Sequence, residues 1–185
     1  MYWAPDIILG DLPSNTTNAA WDTLMPVGKG FVAISEDLHN PSTKTTYGIS
    51  AYHQLHCLYM LRERVAMTLT PEDQANYHAR LVEDWTKYAH PDNSPPISST
   101  SAEQITTGAS YDAHHNPSTH HVFHCVDYIR QAIMCQADGT LEHIDEDEGG
   151  APGWGDTHTC SGNWARLTEW ALVNRDPNKN TGGIH

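Results

Sequence analysis

Along residues 50–66, apolar and aromatic side chains recur at steps of three and four: Tyr52, Leu55, Leu58, Tyr59, Leu61 and Val65. That period predicts an amphipathic helix, with Ser50 as its N-cap. A second helix is predicted from Thr70-Pro71-Glu72-Asp73, which supplies a cap, a proline at the first position and acids in the first turn. It runs to about His90, and Tyr77, Leu81, Trp85 and Tyr88 form its apolar stripe, read as packing. Asn116-Pro117 introduces a third helix, about Ser118 to Ala137, and a short fourth covers Asn163 to Val173 with Trp164, Leu167, Trp170 and Leu172. The β signal is small. Residues 28–35 (GKGFVAIS) read as a strand and residues 43–47 as its hairpin partner.

The remaining segments read as connections. Residues 1–27 hold Pro5, Pro13, Pro26 and a Ser-Asn-Thr-Thr-Asn cluster, which predicts an irregular arm draped over the core by Trp21 and Leu24. Residues 91–110 form a long Pro/Ser/Thr-rich surface connection, and His143 to Gly155, acidic and then glycine-rich, reads as a loop. The expected fold is mainly α: a small helical bundle with a minor β-hairpin and long loops. A single domain over 28–175 carries the metal-binding and catalytic function, with the arm before it and a frayed tail over 176–185.

Composition narrows the function. With 10 Lys and Arg against 23 Asp and Glu, the net charge is −13, a surface that phosphate backbones repel, so nucleic-acid partners are excluded. No apolar run reaches the length of a membrane span, and membrane attachment is expected only through a segment absent from this chain. Thirteen histidines exceed all Lys and Arg together, and six Trp and eight Tyr against two Phe favour aromatics that line a wet site.

Cys57, Cys125, Cys135 and Cys160 have no C-x-x-C spacing, which argues against zinc ribbons and thioredoxin-like chemistry. The even count and one glycosylation sequon, Asn15-Thr16-Thr17, suit a secretory lumen or secretion and favour disulfides that staple the fold. Cys125 and Cys135 lie on one helix, about 15 Å apart along its axis, too far to bridge each other. Cys57 is then expected to pair with Cys125 or Cys135, or with Cys160 if a single bond forms.

Two segments carry the chemistry. His53-Gln-Leu-His56-Cys57-Leu-Tyr-Met-Leu-Arg62 and His121-Val-Phe-His124-Cys125-Val-Asp-Tyr-Ile-Arg130 align without gaps, and both fall in predicted helices. Histidines at i and i+3 share a helix face with Cβ atoms about 5–6 Å apart, close enough to converge on one ion. Two such helices packed face to face would bring His53, His56, His121 and His124 together as a metal site. An imidazole shell suits copper first and zinc second. An iron site drawn from His143, Asp145 and His158 is the weaker reading. Asp127, Asp138 and Glu142 are candidates to orient imidazole N–H groups, and Tyr52, Tyr59 and Tyr128 to stack on substrate or relay an electron. His114, His115 and His120 read as solvent-facing or supporting, and His39, His78, His90 and His185 carry no pattern.

At these residues the chain resembles the UstYa-like oxidases of fungal natural-product pathways, a family marked by two H-x-x-H-C motifs. The surroundings match too: Gly48, the run from Tyr128 to Cys135, Ala137-Asp138, and His158-x-Cys160 followed by Trp164 and Trp170. The resemblance implies copper-dependent oxidative tailoring of a small molecule or peptide: macrocyclisation, hydroxylation, desaturation or halogenation. It implies His53, His56, His121 and His124 as catalytic copper ligands and His158 as a fifth. One or two copper ions per chain, dioxygen as co-substrate and a chain compatible with a homodimer complete the expectation. Two other readings use the same histidines: a zinc hydrolase with Glu142 or Glu103 as base, and a non-catalytic copper-binding protein.

Overall fold

The computed structural model describes residues 4–37, 39–88, 119–145, 147, 150–159 and 162–174, the side chains of 164 and 172 excepted. The predicted connection over 91–110, the histidines His90, His114, His115 and His185, Glu103, Cys160 and the tail lie outside them.

Ser14 opens the first helix. Its hydroxyl accepts from the Thr17 amide at 3.1 Å while Thr17 Oγ1 accepts from the Ser14 amide at 2.9 Å, and α1 (Asn15–Asp22) follows from this reciprocal cap. The cluster expected to be an irregular turn is thus a helix start, because its hydroxyls satisfy the first orphan amides. Trp21 at the helix end is buried against Leu58 and Val126, and its indole N–H donates to the Leu9 carbonyl at 2.9 Å. The arm is therefore part of the core.

The hairpin forms as expected, slightly displaced: β1 (Phe31–Ile34) pairs antiparallel with β2 (Thr45–Ile49), Phe31 opposite Gly48. A third strand, β3 (Leu141–His143), adds to the other edge of β2 with Gly48 opposite Glu142. The sequence reading placed His143 in a loop; three residues of strand carry too little pattern to be read locally.

Helix α2 (Ser50–Ala66) leaves β2 without a break. Its first amides are taken by backbone: Ser50 N–H donates to Thr140 O at 3.0 Å and Ala51 N–H to Asp138 O at 2.9 Å. Ile49, not Ser50, occupies the cap position. Helix α3 (Pro71–Tyr88) starts at Thr70 as predicted, Thr70 Oγ1 accepting from the Asp73 amide and Asp73 Oδ2 from the Thr70 amide. Helix α4 (Thr119–Gln136) packs on both α2 and α3, and α5 (Trp164–Val173) begins at Asn163, whose side chain caps Arg166.

The repeated ten-residue segments occupy matching places. Leu55 and Phe123, Leu58 and Val126, and Arg62 and Arg130 are all buried. Arg62 is fully buried, donating to Asp11 O at 2.9 Å, Thr17 Oγ1 at 2.8 Å and Asn18 Oδ1 at 2.9 Å, with its guanidinium 5.3 Å from the Trp21 ring centre. Arg130 is paired with Asp127 at 2.6 Å. Each arginine ties the N-terminal arm to the helices, directly or through Asp127, which accepts from the Asp6 amide at 3.0 Å.

Disulfide stapling is not found among the described residues: Cys57, Cys125 and Cys135 are free thiols. The helical wheel explains it. With 100° per residue, Cys57 and Cys125 each stand well round from the buried face made by Leu55 and Leu58, or by Phe123 and Val126, so the two sulfurs do not meet across the α2/α4 contact.

Candidate functional site

Helices α2 and α4 run antiparallel. Ala51 at the start of α2 bonds to Asp138 just past the end of α4, whereas Val65 and Ala66 at the end of α2 share a cluster with Val122 and Phe123 at the start of α4. The two histidine pairs consequently run in opposite directions along the helix pair. Leu58 and Val126 share one cluster, so His56 and His124, each two residues before its partner on antiparallel helices, lie about 6 Å apart along the axis, and His53 and His121 farther. Among the described residues, no three histidine, cysteine or carboxylate side chains surround one point where an ion would sit. The antiparallel pairing sets His53 and His121 toward opposite ends of the helix pair, and the faces that meet carry Leu55 and Leu58 on α2 and Phe123 and Val126 on α4.

The first pair is the more elaborately built. His53 Nδ1 lies 2.6 Å from Glu142 Oε2, and Ser50 Oγ donates to Glu142 Oε1 at 2.5 Å. Glu142 is 3% exposed, so both its oxygens are committed. A buried carboxylate is an acceptor only, so Nδ1 carries the proton and Nε2 keeps a lone pair for a ligand. Gly153 passes directly over the ring: a Cβ there would lie 3.1 Å from His53 Cε1, and its φ of +73° is one that L side chains rarely adopt. Ser50, misread as a cap, and Gly153, hidden in an Ala-Pro-Gly-Trp-Gly turn, are site residues the sequence reading missed. The strand-to-helix switch at Ser50 and the repeated glycines were the available signals.

His158 is held in the same way, Nδ1 2.8 Å from Asp138 Oδ2. The hydrogen bond to His158 pulls the Asp138 carboxyl down to about 2 and lifts His158 above its ordinary value. Asp138 also accepts from Gln54 on α2 at 3.4 Å, so His158 stands beside the first turns of that helix. Of the three carboxylates expected to orient imidazoles, Glu142 and Asp138 do so. Asp127 does not, because Arg130, Gln131 and the Asp6 amide engage its oxygens.

The second pair lies on the outer face of α4. The rings of His121 and His124 are 6.3 Å apart between centres, with Tyr128 6.2 Å beyond His124. His120 turns onto α3, Nε2 2.8 Å from Asp84 Oδ2, and burial lowers its pKa. His143 bonds to Asp156 at 2.5 Å, and it does not gather with Asp145 and His158 round a common point. Glu142, tied by Ser50 and His53, is not free to act as the base of a zinc hydrolase.

Beside the first pair opens a cavity of about 720 Å³. Its walls are Trp21, Tyr52 and Tyr59, with Phe31 and Ile49 from the hairpin and Ala151 from the loop after β3; His53 and His56 line it. The tyrosines expected to meet substrate are here in two of three cases, Tyr128 being on the α4 side.

Helix-borne histidines, one braced by a buried carboxylate, thus stand beside an aromatic cavity on a mainly helical scaffold. The chain belongs to the UstYa family: the family model described as "Mycotoxin biosynthesis protein UstYa" matches residues 2–174. It is 33% identical over 175 residues to "Oxidase ustYa" of Aspergillus flavus, covering 89% of this chain and 62% of that protein. It is 30% identical over 163 residues to "UstYa family oxidase phomYb" of Diaporthe leptostromiformis, covering 83% and 49%. "Chlorinase cctP2" of Talaromyces islandicus is 26% identical over 166 residues, covering 83% and 39%. The chain thus spans less than two thirds of the length of these relatives. No solved structure matches it. Among the described residues no helix is long and apolar enough to cross a membrane.

Proposed function

We propose that this protein is a copper-dependent oxidase or oxygenase that tailors a small natural product or peptide in the cavity beside α2, with dioxygen as co-substrate. The observation that carries the reading is the His53–Glu142 pair on the cavity wall, in which a buried carboxylate fixes the tautomer and leaves Nε2 as the ligand atom. The relatives named as oxidases and a chlorinase support oxidative chemistry.

The donor set fits copper by type, since every candidate ligand is imidazole. His53 and His56 would contribute to one ion and His121 and His124 to a second, and His158 would join the first only by moving from its present place beside the start of α2. Copper, when bound, supplies one-electron redox chemistry and a place for dioxygen to react. The protein's own contribution is positional. Glu142 and Asp138 orient imidazoles, Gly153 leaves room for the His53 ring, and Trp21, Tyr52 and Tyr59 hold an apolar substrate body and keep water from it.

Metal content per chain, measured by inductively coupled plasma mass spectrometry after copper and zinc are offered in competition, tests the proposal. Copper at one or two per chain, reduced by His53→Ala and His56→Ala with the helical circular-dichroism signal intact, is the expected result. Copper content undiminished in both substituted proteins, or stoichiometric zinc with no oxygen consumption, would overturn it.

A further inference from the structure

The cavity has a built cationic lip. Gly28, Lys29 and Gly30 adopt φ of +91°, +54° and +84°, three consecutive left-handed residues, and only two of them are glycine. A lysine in that conformation persists only where its surroundings impose it, and here they do. Lys29 N–H donates to Pro26 O at 2.9 Å, Phe31 N–H to Gly28 O at 2.9 Å, and Ile49 N–H to Gly30 O at 3.0 Å. Gly30 is seated so closely on Tyr52 that a Cβ would lie 2.5 Å from the ring's own Cβ. The turn is therefore fixed to α2 at the residue before His53, and Lys29 has a set place on the cavity wall.

Lys29 is also electrostatically singular. Among the described residues lining the cavity it is the one lysine or arginine, in a chain with 10 such residues against 23 acids. Its companions there are aromatic and aliphatic, with Asp22 at the end of α1 as the other charged side chain. A cation with an apolar floor beneath it selects a ligand with the opposite arrangement.

We propose that Lys29 anchors a carboxylate of the substrate, so that the cleft takes a monoanionic carboxylic acid with an apolar, ring-compatible body, and Asp22 disfavours a second negative charge. The inference rests on the reading of this cavity as the substrate site. The carboxylate pairs with the Lys29 ammonium, the body stacks among Tyr52, Tyr59 and Trp21, and the end distant from Lys29 reaches His53 and His56.

Binding of 3-phenylpropanoate and of the isosteric 3-phenylpropanamide, followed by ligand-observed NMR on the full chain with and without copper, tests it. The carboxylate is expected to bind about tenfold more tightly than the amide at low salt, a preference that shrinks as salt rises. Lys29→Met should bring the ratio to about one, Lys29→Arg should keep it, and Lys29→Gly, which favours the left-handed turn, should lose it without disturbing the fold. An equal ratio in wild type and Lys29→Gly, or no binding of either probe, overturns the proposal. A preference lost in His53→Ala and His56→Ala but kept in Lys29→Gly also overturns it, placing the carboxylate at the histidines and leaving the copper reading intact. A Lys29-dependent preference in a chain that binds no copper would sustain the anchor and sink the oxidase reading.

Discussion

Replacing Glu142 with Gln changes one buried atom's chemistry and almost no volume. Glu142 accepts from Ser50 Oγ at 2.5 Å and from His53 Nδ1 at 2.6 Å, both bonds to an ionised group with little solvent around it. A glutamine offers one acceptor and one donor. The Ser50 hydroxyl can rotate to accept from the amide N–H, which leaves the amide oxygen for His53 Nδ1–H, so both contacts persist as neutral bonds and what is lost is the carboxylate's charge. Bonds to charged groups are worth about 1.5–3 kcal/mol against about 0.5–1.5 kcal/mol for neutral ones, so the two together lose about 2–3 kcal/mol. At about 2–4 °C per kcal/mol for a chain of this size, the midpoint of thermal unfolding should fall by roughly 4–12 °C. The functional effect is separate: His53 keeps its tautomer but loses the charge that raises the basicity of Nε2, and copper affinity should fall about 10- to 100-fold. Circular-dichroism melts of the metal-free protein give the first quantity, chelator-competition titration the second, and nitrogen-15 imidazole spectra the tautomer. Ser50→Ala is the control, removing one donor while leaving His53 and its tautomer alone. A Glu142→Gln protein that melts within about 1 °C of wild type and binds copper equally well would refute the reasoning.

Four further outcomes are expected. Gly153→Ala places a methyl group 3.1 Å from the His53 ring in a backbone conformation unfavourable to alanine, so it should weaken copper binding more than a surface Gly→Ala change such as Gly139→Ala, read by the same titration. Ala137, left-handed at φ +46° beyond the end of α4, should be improved by Ala137→Gly, raising stability by about 0.5–1 kcal/mol in denaturant unfolding. Arg62→Ala strips the partner from Thr17, Asn18 and the Asp11 carbonyl in the core, and should cost roughly 3–5 kcal/mol, with α1 the first segment to lose protection in hydrogen exchange. Asp73 has its carboxyl held below the ordinary value by the Thr70 hydroxyl and amide. Its folded value lies under its unfolded one, so the cap's contribution is present at pH 7 and is lost as pH falls through the folded value. The melting-point gap between wild type and Asp73→Asn should accordingly close in acid.

The local pattern of the chain determined its helices. The three- and four-residue apolar steps placed α2, Asn116-Pro117 introduced α4, Thr70-Pro71 started α3, and the β-branched run bounded by glycines located the hairpin, because each depends on neighbours within a turn or two. The doubled H-x-x-H-C segment was equally legible, and its buried positions, Leu55, Leu58 and Arg62 against Phe123, Val126 and Arg130, repeat as faithfully as its letters. What the sequence could not supply was the direction in which those two segments meet. Histidines at i and i+3 share a face whichever way a partner helix runs, and only the antiparallel docking of α2 on α4, fixed by Asp138 against Ala51, sets His53 and His121 toward opposite ends. Glu142 was a candidate to orient an imidazole, but that it meets His53 was hidden for the same reason. Glu142 lies 89 residues away on a three-residue strand with no periodic signal, and Ser50 donates to it instead of capping a helix. Short-range spacing decides which face of an element a residue occupies, while long-range pairing decides what that face meets, and the chemistry of this site is set by the second.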